Sequence, residues 1–499
     1  MSREQLRTVN EINEKIERGD AVVLTTEEMN RLVEAKGVRV AAEEVDVVTT
    51  GTFGAMCSSG AIINLGHADP PIKIQRAWMN GVEVCHPGAA VDLYVGATMM
   101  SETRPFEYGG GHVIEDLIRG QSIELRAISH GTDCYPRTRL DTVLTKDDLN
   151  QFYLLNFRNC YQRYDCATNG SDEVIYTYMG KLLPHYGNAS FSGSGSWNPL
   201  CNDPDYETIG LGTRIFLGGA HGYVIGEGTQ HSPTTGFGTL MVRGDGKKMR
   251  SDYVRGVAFT NYGTTLYMGI GIPIPILHEG LAEKTAVRDE EIVTDVVDYG
   301  VPRRDRPILR KVNYHELKSG KIVVKDREVK VSPLCSLKKA KDIAEALKQE
   351  ITDAAFFLTT PVETLPRDTV VRPMRQTREV TLVEALIRPA VTCGRGDSIQ
   401  SVAERIIHHA VNHIVVMDEA GRLEGIVTSW DITRAIANGC KQLADIISHR
   451  VITAVPNEPI DGASRRMAHY NISALPVIDA EKRVLGIITA EDLSQLIGG

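Results

Sequence analysis

At 499 residues the chain is too long for a single hydrophobic core, so two or more domains are expected. Its composition, 42% apolar and 24% charged, is that of an ordinary globular protein, and a net charge of −9 with no long basic run argues against a nucleic-acid binder. No stretch approaches the ~18 consecutive apolar residues of a membrane-spanning helix, so neither membrane nor nucleic acid is an expected partner.

The opening residues, MSREQLRTVNEINEKIERGD, are charged from the start, unlike a secretory signal, and a cytoplasmic protein is expected. Leu6, Val9, Ile12 and Ile16 fall on one helical face. The segment GTFGAMCSSG (51–60) then sets Cys57 among small residues. Close behind, NLGHADPPIK (64–73) places His67 ahead of a stiff Pro-Pro turn. GGGH (109–112) opens a helical run and offers free backbone N–H groups to an anion, with a plain turn as the alternative. HGTDCYPR (130–137) is polar, has glycine and proline at turn-like spacing, and carries Cys134 in its middle. A cysteine there is unusual, because free cysteines mostly behave as small buried hydrophobes.

Nine cysteines without any CxxC make neither a disulfide framework nor a standard zinc or iron–sulfur spacing; a few reactive thiols among inert ones are expected, and no metal site. From about 105 to 275 glycine is frequent and helical periodicity weak, which reads as tight turns between short strands. GLGTRI (210–215) lacks a third glycine and no Gly-Lys-Ser/Thr follows a glycine loop, so no nucleotide fingerprint is present. GKIVVKDREVKV (320–331) reads as a hairpin and SLKKAKDIAEALKQEI (336–351) as an amphipathic helix. PVETLPRDTVVRPMRQTREV (361–380), rich in proline and charge, reads as an extended linker. Residues 1–360 are therefore expected to form a mixed α/β (α+β) catalytic domain, whose topology the sequence does not disclose.

The remainder is duplicated. The stretch from Val391 ending GIVTSWDIT aligns without gaps on the stretch from Ile452 ending GIITAEDLS, superposing Thr428 on Thr489 and Asp431 on Asp492. The two copies of G-hydrophobic-x-T-x-x-D resemble the α/β cystathionine-β-synthase (CBS) domain pair, or Bateman module, with domains at 381–440 and 441–499. The resemblance implies that Thr428, Asp431, Thr489 and Asp492 hold the phosphate or ribose of an adenosyl ligand such as S-adenosylmethionine; a pair that only packs or dimerises is the alternative. The first copy departs from the pattern, with His413 and Val415 where the second has Ala474 and Pro476, so one cleft is expected to bind more weakly.

GTFGAMCSSGAIINLGHADPPIK and SHGTDCYPR together resemble the archaeal homocysteine-biosynthesis family, the L-aspartate semialdehyde sulfurtransferases, over essentially the whole chain. That resemblance implies homocysteine made from L-aspartate semialdehyde and sulfide, with a cysteine persulfide and a small ferredoxin-like partner. Its two key cysteines fall on Cys57 and Cys134, with the persulfide on Cys134. The chemistry, R–CHO + H2S + 2e⁻ + 2H⁺ → R–CH2SH + H2O, needs two electrons, and no nicotinamide or flavin fingerprint supplies them. Cys57 is then expected to act as resolving thiol, closing a transient disulfide with Cys134. His130 and Arg137 flank Cys134 as candidate acid–base or substrate groups, with His67 as a candidate for orienting substrate; each has an ordinary turn residue as its alternative. Asp133 is expected either to turn away from the thiol or to serve as a proton donor. Arg104, Arg137, Arg139 and Arg214 are candidates for the substrate carboxylate.

No resident cofactor is firmly implied, and an iron–sulfur cluster is expected on the partner rather than here. Homocysteine leads to S-adenosylmethionine, so an adenosyl ligand at the CBS pair would give end-product control. CBS pairs commonly associate, so a homodimer is expected. Two rivals are an iron–sulfur hydratase or desulfurase using Cys57, Cys134 and a third cysteine, and a non-enzymatic adenosyl-nucleotide sensor.

Overall fold

Along Gln151–Asn159 every second side chain, Phe152, Leu154 and Asn156 among them, points inward, and the strand becomes the middle of a nine-stranded antiparallel sheet. The computed structural model describes residues 5–86, 89–303, 305–372 and 382–497 and divides into two units, Met1–Arg372 and Pro373–Gly499. In the first unit, Gln151–Asn159 pairs with Ser59–Asn64 on one side and Leu240–Asp245 on the other. Asp92–Gly96 closes the first edge. Ala220–Glu227, Arg214–Leu217, Gly263–Gly271 and Val254–Phe259 continue the other side, and Thr52–Ala55 pairs farther along Gly263–Gly271.

Two helices cover opposite faces of this sheet. Val113, Ile114 and Leu117 of Gly110–Ile118 join Ile215 and Leu217 in one core. Ile343, Leu347 and Ile351 of Leu337–Thr352 join Phe216 in the other, as the period-2 alternation of the strand requires. The glycines of Gly263–Gly271 are therefore strand residues rather than turns: a Cβ on Gly269 would stand 2.7 Å from Ile343 Cδ1, inside contact distance. GGGH is likewise a packing device. The N–H groups of Gly110 and Gly111 donate to the carbonyls of Met99 and Ala97 at 2.7 and 3.1 Å, which leaves them no anion to bind.

A six-stranded mixed sheet lies in the same unit, in the order Ile308–Asn313, Val293–Asp298, Cys166–Thr168, Ala189–Phe191, Arg327–Pro333, Lys321–Val324. Cys166–Thr168 runs parallel to Val293–Asp298, with Cys166 opposite Val296. The expected hairpin is its outer pair. The N-terminal helix spans Val9–Arg18, capped by Thr8, with Ile12 and Ile16 buried; Leu6 precedes it and is exposed, which corrects its place on the helical face.

The segment expected to be a linker begins as part of this unit. Val362 donates to Leu211 O, Glu363–Thr364 pairs with Gly210–Leu211, and Leu365 is buried. Thr239 N–H donates to His231 Nδ1 at 3.0 Å, leaving Nε2 to donate to Pro366 O at 2.9 Å. Residues 373–380 of that segment lie outside the described residues.

The second unit holds two α/β repeats. In the first, Thr392–Gly394, His413–Met417 and Leu423–Thr428 form a sheet with helices Ile399–His409 and Ser429–Ala437. In the second, Ala474–Ile478 pairs with Val484–Thr489 beside helices Ile460–Tyr470 and Ala490–Ile497, and the first strand is reduced to one bridge, Ala454 to Val477. Val415 is fully buried against Ala474 and Ile487, so its departure from the second copy serves the join between repeats. Among the described residues no helix is long and apolar enough to cross a membrane.

Candidate functional site

Cys57 sits in the turn between Thr52–Ala55 and Ser59–Asn64, where small neighbours let the chain reverse between two buried strands. Its side chain lines a cavity of about 540 Å³ whose walls include six aromatic rings, those of Tyr161, Tyr164, Tyr178, Phe237, Tyr262 and Tyr299. Arg158 and Arg163 stand on the same wall segment as Asp165, and Asp295 comes from the six-stranded sheet. Thr265 Oγ1 donates to Cys57 Sγ at 3.3 Å. Burial pushes the Cys57 thiol up, outweighing that hydrogen bond and the nearby Arg158 guanidinium, so the resting group is a protonated thiol.

Cys134 is exposed on a pinned loop. Thr132 and Tyr135 exchange backbone hydrogen bonds across it at 2.9 and 3.0 Å, a tight turn with Cys134 and Asp133 at its tip. Three of the expected site residues hold this loop. Arg137 Nη2 donates to Asp69 O at 2.6 Å, His130 Nδ1 is bonded to the Gln75 side-chain amide, and the His67 ring lies 5.8 Å from that of Tyr135. His67 and Tyr135 border a shallow groove of about 340 Å³ with Asn64, Lys73 and Asp92.

The two cysteine motifs thus meet, but the two cysteines do not. Cys57 precedes the first residue of Ser59–Asn64, whereas His67 and the Cys134 loop lie beyond its last. The six residues between them span about 17 Å. A disulfide needs Cα atoms within about 7 Å, so the expected Cys57–Cys134 pairing is not available inside one chain in this conformation. The same span keeps both off one iron–sulfur cluster in a single chain. Among the described residues no three His, Cys, Asp or Glu side chains converge into a metal-binding group.

The arginines named from the sequence go elsewhere: Arg104 lies over the Tyr108 ring, Arg139 pairs with exposed Asp141, and Arg214 packs between Tyr223 and Phe356. Arg158 and Arg163, which do line the cavity, were missed. Their signal was the alternation of Arg, Tyr and Asp in RNCYQRYD (158–165), a pattern that looks like a solvated loop until it is seen facing a cavity. Of the other cysteines, Cys166 and Cys335 are buried and their thiols pushed up to about 12, as is that of Cys201; these are inert.

In the second unit each Thr–Asp pair closes a capping arrangement. Asp431 Oδ2 accepts from Thr428 N and Oγ1 at 3.0 and 2.6 Å, and Asp492 Oδ2 accepts from Thr489 N and Oγ1, both at 2.8 Å. The free oxygens differ in company: Asp431 Oδ1 meets Arg434 at 3.2 Å, and buried Asp492 Oδ1 meets Arg388 at 2.5 Å. His413 Nε2 is bonded to Ser473 Oγ at 3.1 Å, and burial holds its pKa down.

The family model described as homocysteine biosynthesis enzyme, sulfur-incorporation matches residues 21–358, and the CBS domain model matches 383–438 and 443–499. A protein of Methanosarcina acetivorans named L-aspartate semialdehyde sulfurtransferase is 53% identical over 493 residues, 98% of this chain and 99% of its own. A Methanocaldococcus jannaschii protein of the same name is 50% identical over 510 residues, 99% of each chain. A CBS domain pair crystallised with 5′-methylthioadenosine and S-adenosyl-L-methionine is 44% identical, covering 24% of this chain and 98% of its own with a TM-score of 0.24. With two thirds of its length matched by one family and near-complete relatives at half identity, the chain belongs to the sulfur-incorporating homocysteine biosynthesis enzymes and carries a CBS domain pair behind the family domain.

Proposed function

We propose that this chain makes homocysteine from L-aspartate semialdehyde and sulfide, with carbon chemistry in the Cys57 cavity and sulfur uptake at Cys134. The observation that carries this is a cysteine at the wall of a cavity lined by tyrosines and charged side chains and large enough for a four-carbon amino acid. The name shared by the two long relatives supports the same substrate. Overall, aldehyde, sulfide, two electrons and two protons give the thiol and water. The electrons come from an external low-potential donor, a small ferredoxin-like protein that carries any iron–sulfur cluster itself.

Hydrosulfide attacking a Cys57–Cys134 disulfide at the Cys134 sulfur breaks the S–S bond, leaving a persulfide on Cys134 and the Cys57 thiol, with no net change in oxidation level. Because a strand about 17 Å long separates the Cys57 turn from the His67 segment against which the Cys134 loop packs, we assign that exchange to a homodimer in which the Cys134 loop of one copy serves the Cys57 cavity of the other. His130, Arg137 and His67 act in this reading by holding the loop, not by touching substrate.

The CBS pair is read as an adenosyl sensor giving end-product control. Each of the two repeated carboxylates is already oriented by its threonine, leaving one oxygen for a ribose diol, which in the second cleft must displace Arg388. Calorimetry of the whole chain with S-adenosylmethionine, methylthioadenosine, AMP and ATP tests this; no heat with any of them removes the sensor.

For the catalytic reading, homocysteine formation is measured with wild type, Cys57→Ser and Cys134→Ser, given the semialdehyde, sulfide and a low-potential reductant. Wild type should be active and both variants inactive. Activity equal to wild type in both variants would remove the thiols from the reaction.

A further inference from the structure

Two arginines and two aspartates line the Cys57 cavity, and among the described residues none of the four is ion-paired with another. Arg158 has one nitrogen on the Gln230 side chain, and Arg163 Nη2 donates to Thr235 O at 3.1 Å. Arg158 Nε and Asp295 Oδ1 are buried with no hydrogen-bond partner. Buried polar atoms are rarely left so, and a charged one is the costliest to leave.

The two carboxylates are set side by side by the sheet. Cys166 faces Val296 across parallel strands, so Asp165, one residue earlier, stands next to Asp295. Like charges facing each other across strands weaken a sheet. Burial, and then Asp295, push the Asp165 carboxyl up, with Arg163 opposing. The fold gains nothing from this pair. A cation seated between them would relieve both the repulsion and the missing hydrogen bond.

The cavity has two ends. Arg158 lies beside Cys57, since Phe157 N–H donates to Ser58 O at 3.1 Å and the Arg158 charge is felt at the thiol. Asp165, Asp295 and Arg163 form the other end, walled by Tyr299, whose hydroxyl is 2.7 Å from that of Tyr178. Partial burial between aromatic rings lowers the local dielectric and strengthens charge interactions there. The geometry points to a zwitterion cage: Asp165 and Asp295 receive the α-ammonium of the substrate, Arg163 its α-carboxylate, and Arg158 faces the reacting aldehyde end at Cys57. The cage rests on reading this cavity as the semialdehyde site, and it deepens that reading by naming what selects an amino acid over a plain aldehyde acid.

The test separates binding from turnover. L-Homoserine carries the same amino-acid end without a reactive aldehyde, and 4-hydroxybutyrate lacks only its ammonium. Calorimetry should show L-homoserine bound to wild type and weakened roughly tenfold or more in Asp295→Asn and Asp165→Asn, as expected when a charged hydrogen bond is lost. 4-Hydroxybutyrate should bind all three proteins equally weakly. In steady state the same variants should raise KM for L-aspartate semialdehyde about tenfold while leaving KM for sulfide unchanged. Folding is checked by melting: the Asp165 carboxyl, whose folded-state pKa is raised, costs stability as pH climbs through the carboxylate range, so Asp165→Asn should melt at or above the wild-type temperature at pH 7. Asp295→Asn, which removes the like charge facing it across the strands, should do the same. L-Homoserine binding unchanged in stable variants, or no binding to wild type, overturns the cage. Wild type that binds L-homoserine but makes no homocysteine overturns the sulfurtransferase reading and leaves the cage standing.

Discussion

Cys57 lies just before one end of the strand Ser59–Asn64, Cys134 lies on a loop packed against the segment beyond its other end, and almost everything else about the two cysteines differs. Cys57 is half-buried, faces a cavity, accepts a hydrogen bond from Thr265 and has its thiol pushed up by burial. Cys134 stands in solvent at the tip of a turn held by Gln75, Asp69 and His67. A thiol in a cavity can select what reaches it; a thiol on a turn tip can be reached by a protein or by a second copy. In the proposed function this difference becomes a division of labour, with substrate selection at Cys57 and sulfur traffic at Cys134.

The comparison breaks most visibly at Cys57. Cys57→Ala should lower homocysteine formation by about a thousandfold or more, the scale of removing a group that acts directly in the chemistry, with far-ultraviolet circular dichroism unchanged. Mixing Cys57→Ser with Cys134→Ser should restore up to about a quarter of wild-type activity after subunit exchange, because half the dimers are then mixed and each has one intact pair. No recovery, with exchange verified by native mass spectrometry, would require the Cys134 loop to move within its own chain instead. Iodoacetamide labelling followed by peptide mass spectrometry should modify Cys134 before Cys57 at pH 7.5. For Cys57 the sign follows from its raised pKa: the thiolate is scarce at neutral pH, so labelling should accelerate by up to about tenfold per pH unit as pH rises. The smallest effect belongs to the second unit, where Thr428→Ala removes a helix cap and should cost about 1 kcal/mol, read as a lower melting midpoint.

The two cysteine-bearing turns, the duplicated C-terminal module and the amphipathic helix Leu337–Thr352 were legible because each signal is local: a cysteine in a turn, a gapless repeat, a 3.6-residue period. What was not legible depends on pairing between distant segments. Asp295 reaches Asp165 only because two strands 130 positions apart run parallel in register. Arg158 reaches Cys57 only because Gln151–Asn159 pairs with Ser59–Asn64. His67 looked like a companion of Cys57 from its place in the chain, yet the strand between them carries it to Cys134. The glycine-rich middle was legible in part: Gly218 and Gly219 form the tight turn between Arg214–Leu217 and Ala220–Glu227. Gly269 instead answers to a remote neighbour, Ile343, and lies within a strand.

The segment that leads toward the CBS pair leaves the family domain at a particular point. Its last described anchors are Glu363–Thr364 on Gly210–Leu211 and Pro366 on His231. His231 is flanked by Gln230, which borders the cavity and holds Arg158, and its loop continues to Thr235 and Phe237 in the cavity wall. A leash knotted to the wall of the Cys57 cavity loads that wall whenever it is drawn taut. Tension along the connection would be borne first by one imidazole–carbonyl bond, and slack or strain there becomes a mechanical variable of the chamber's shape.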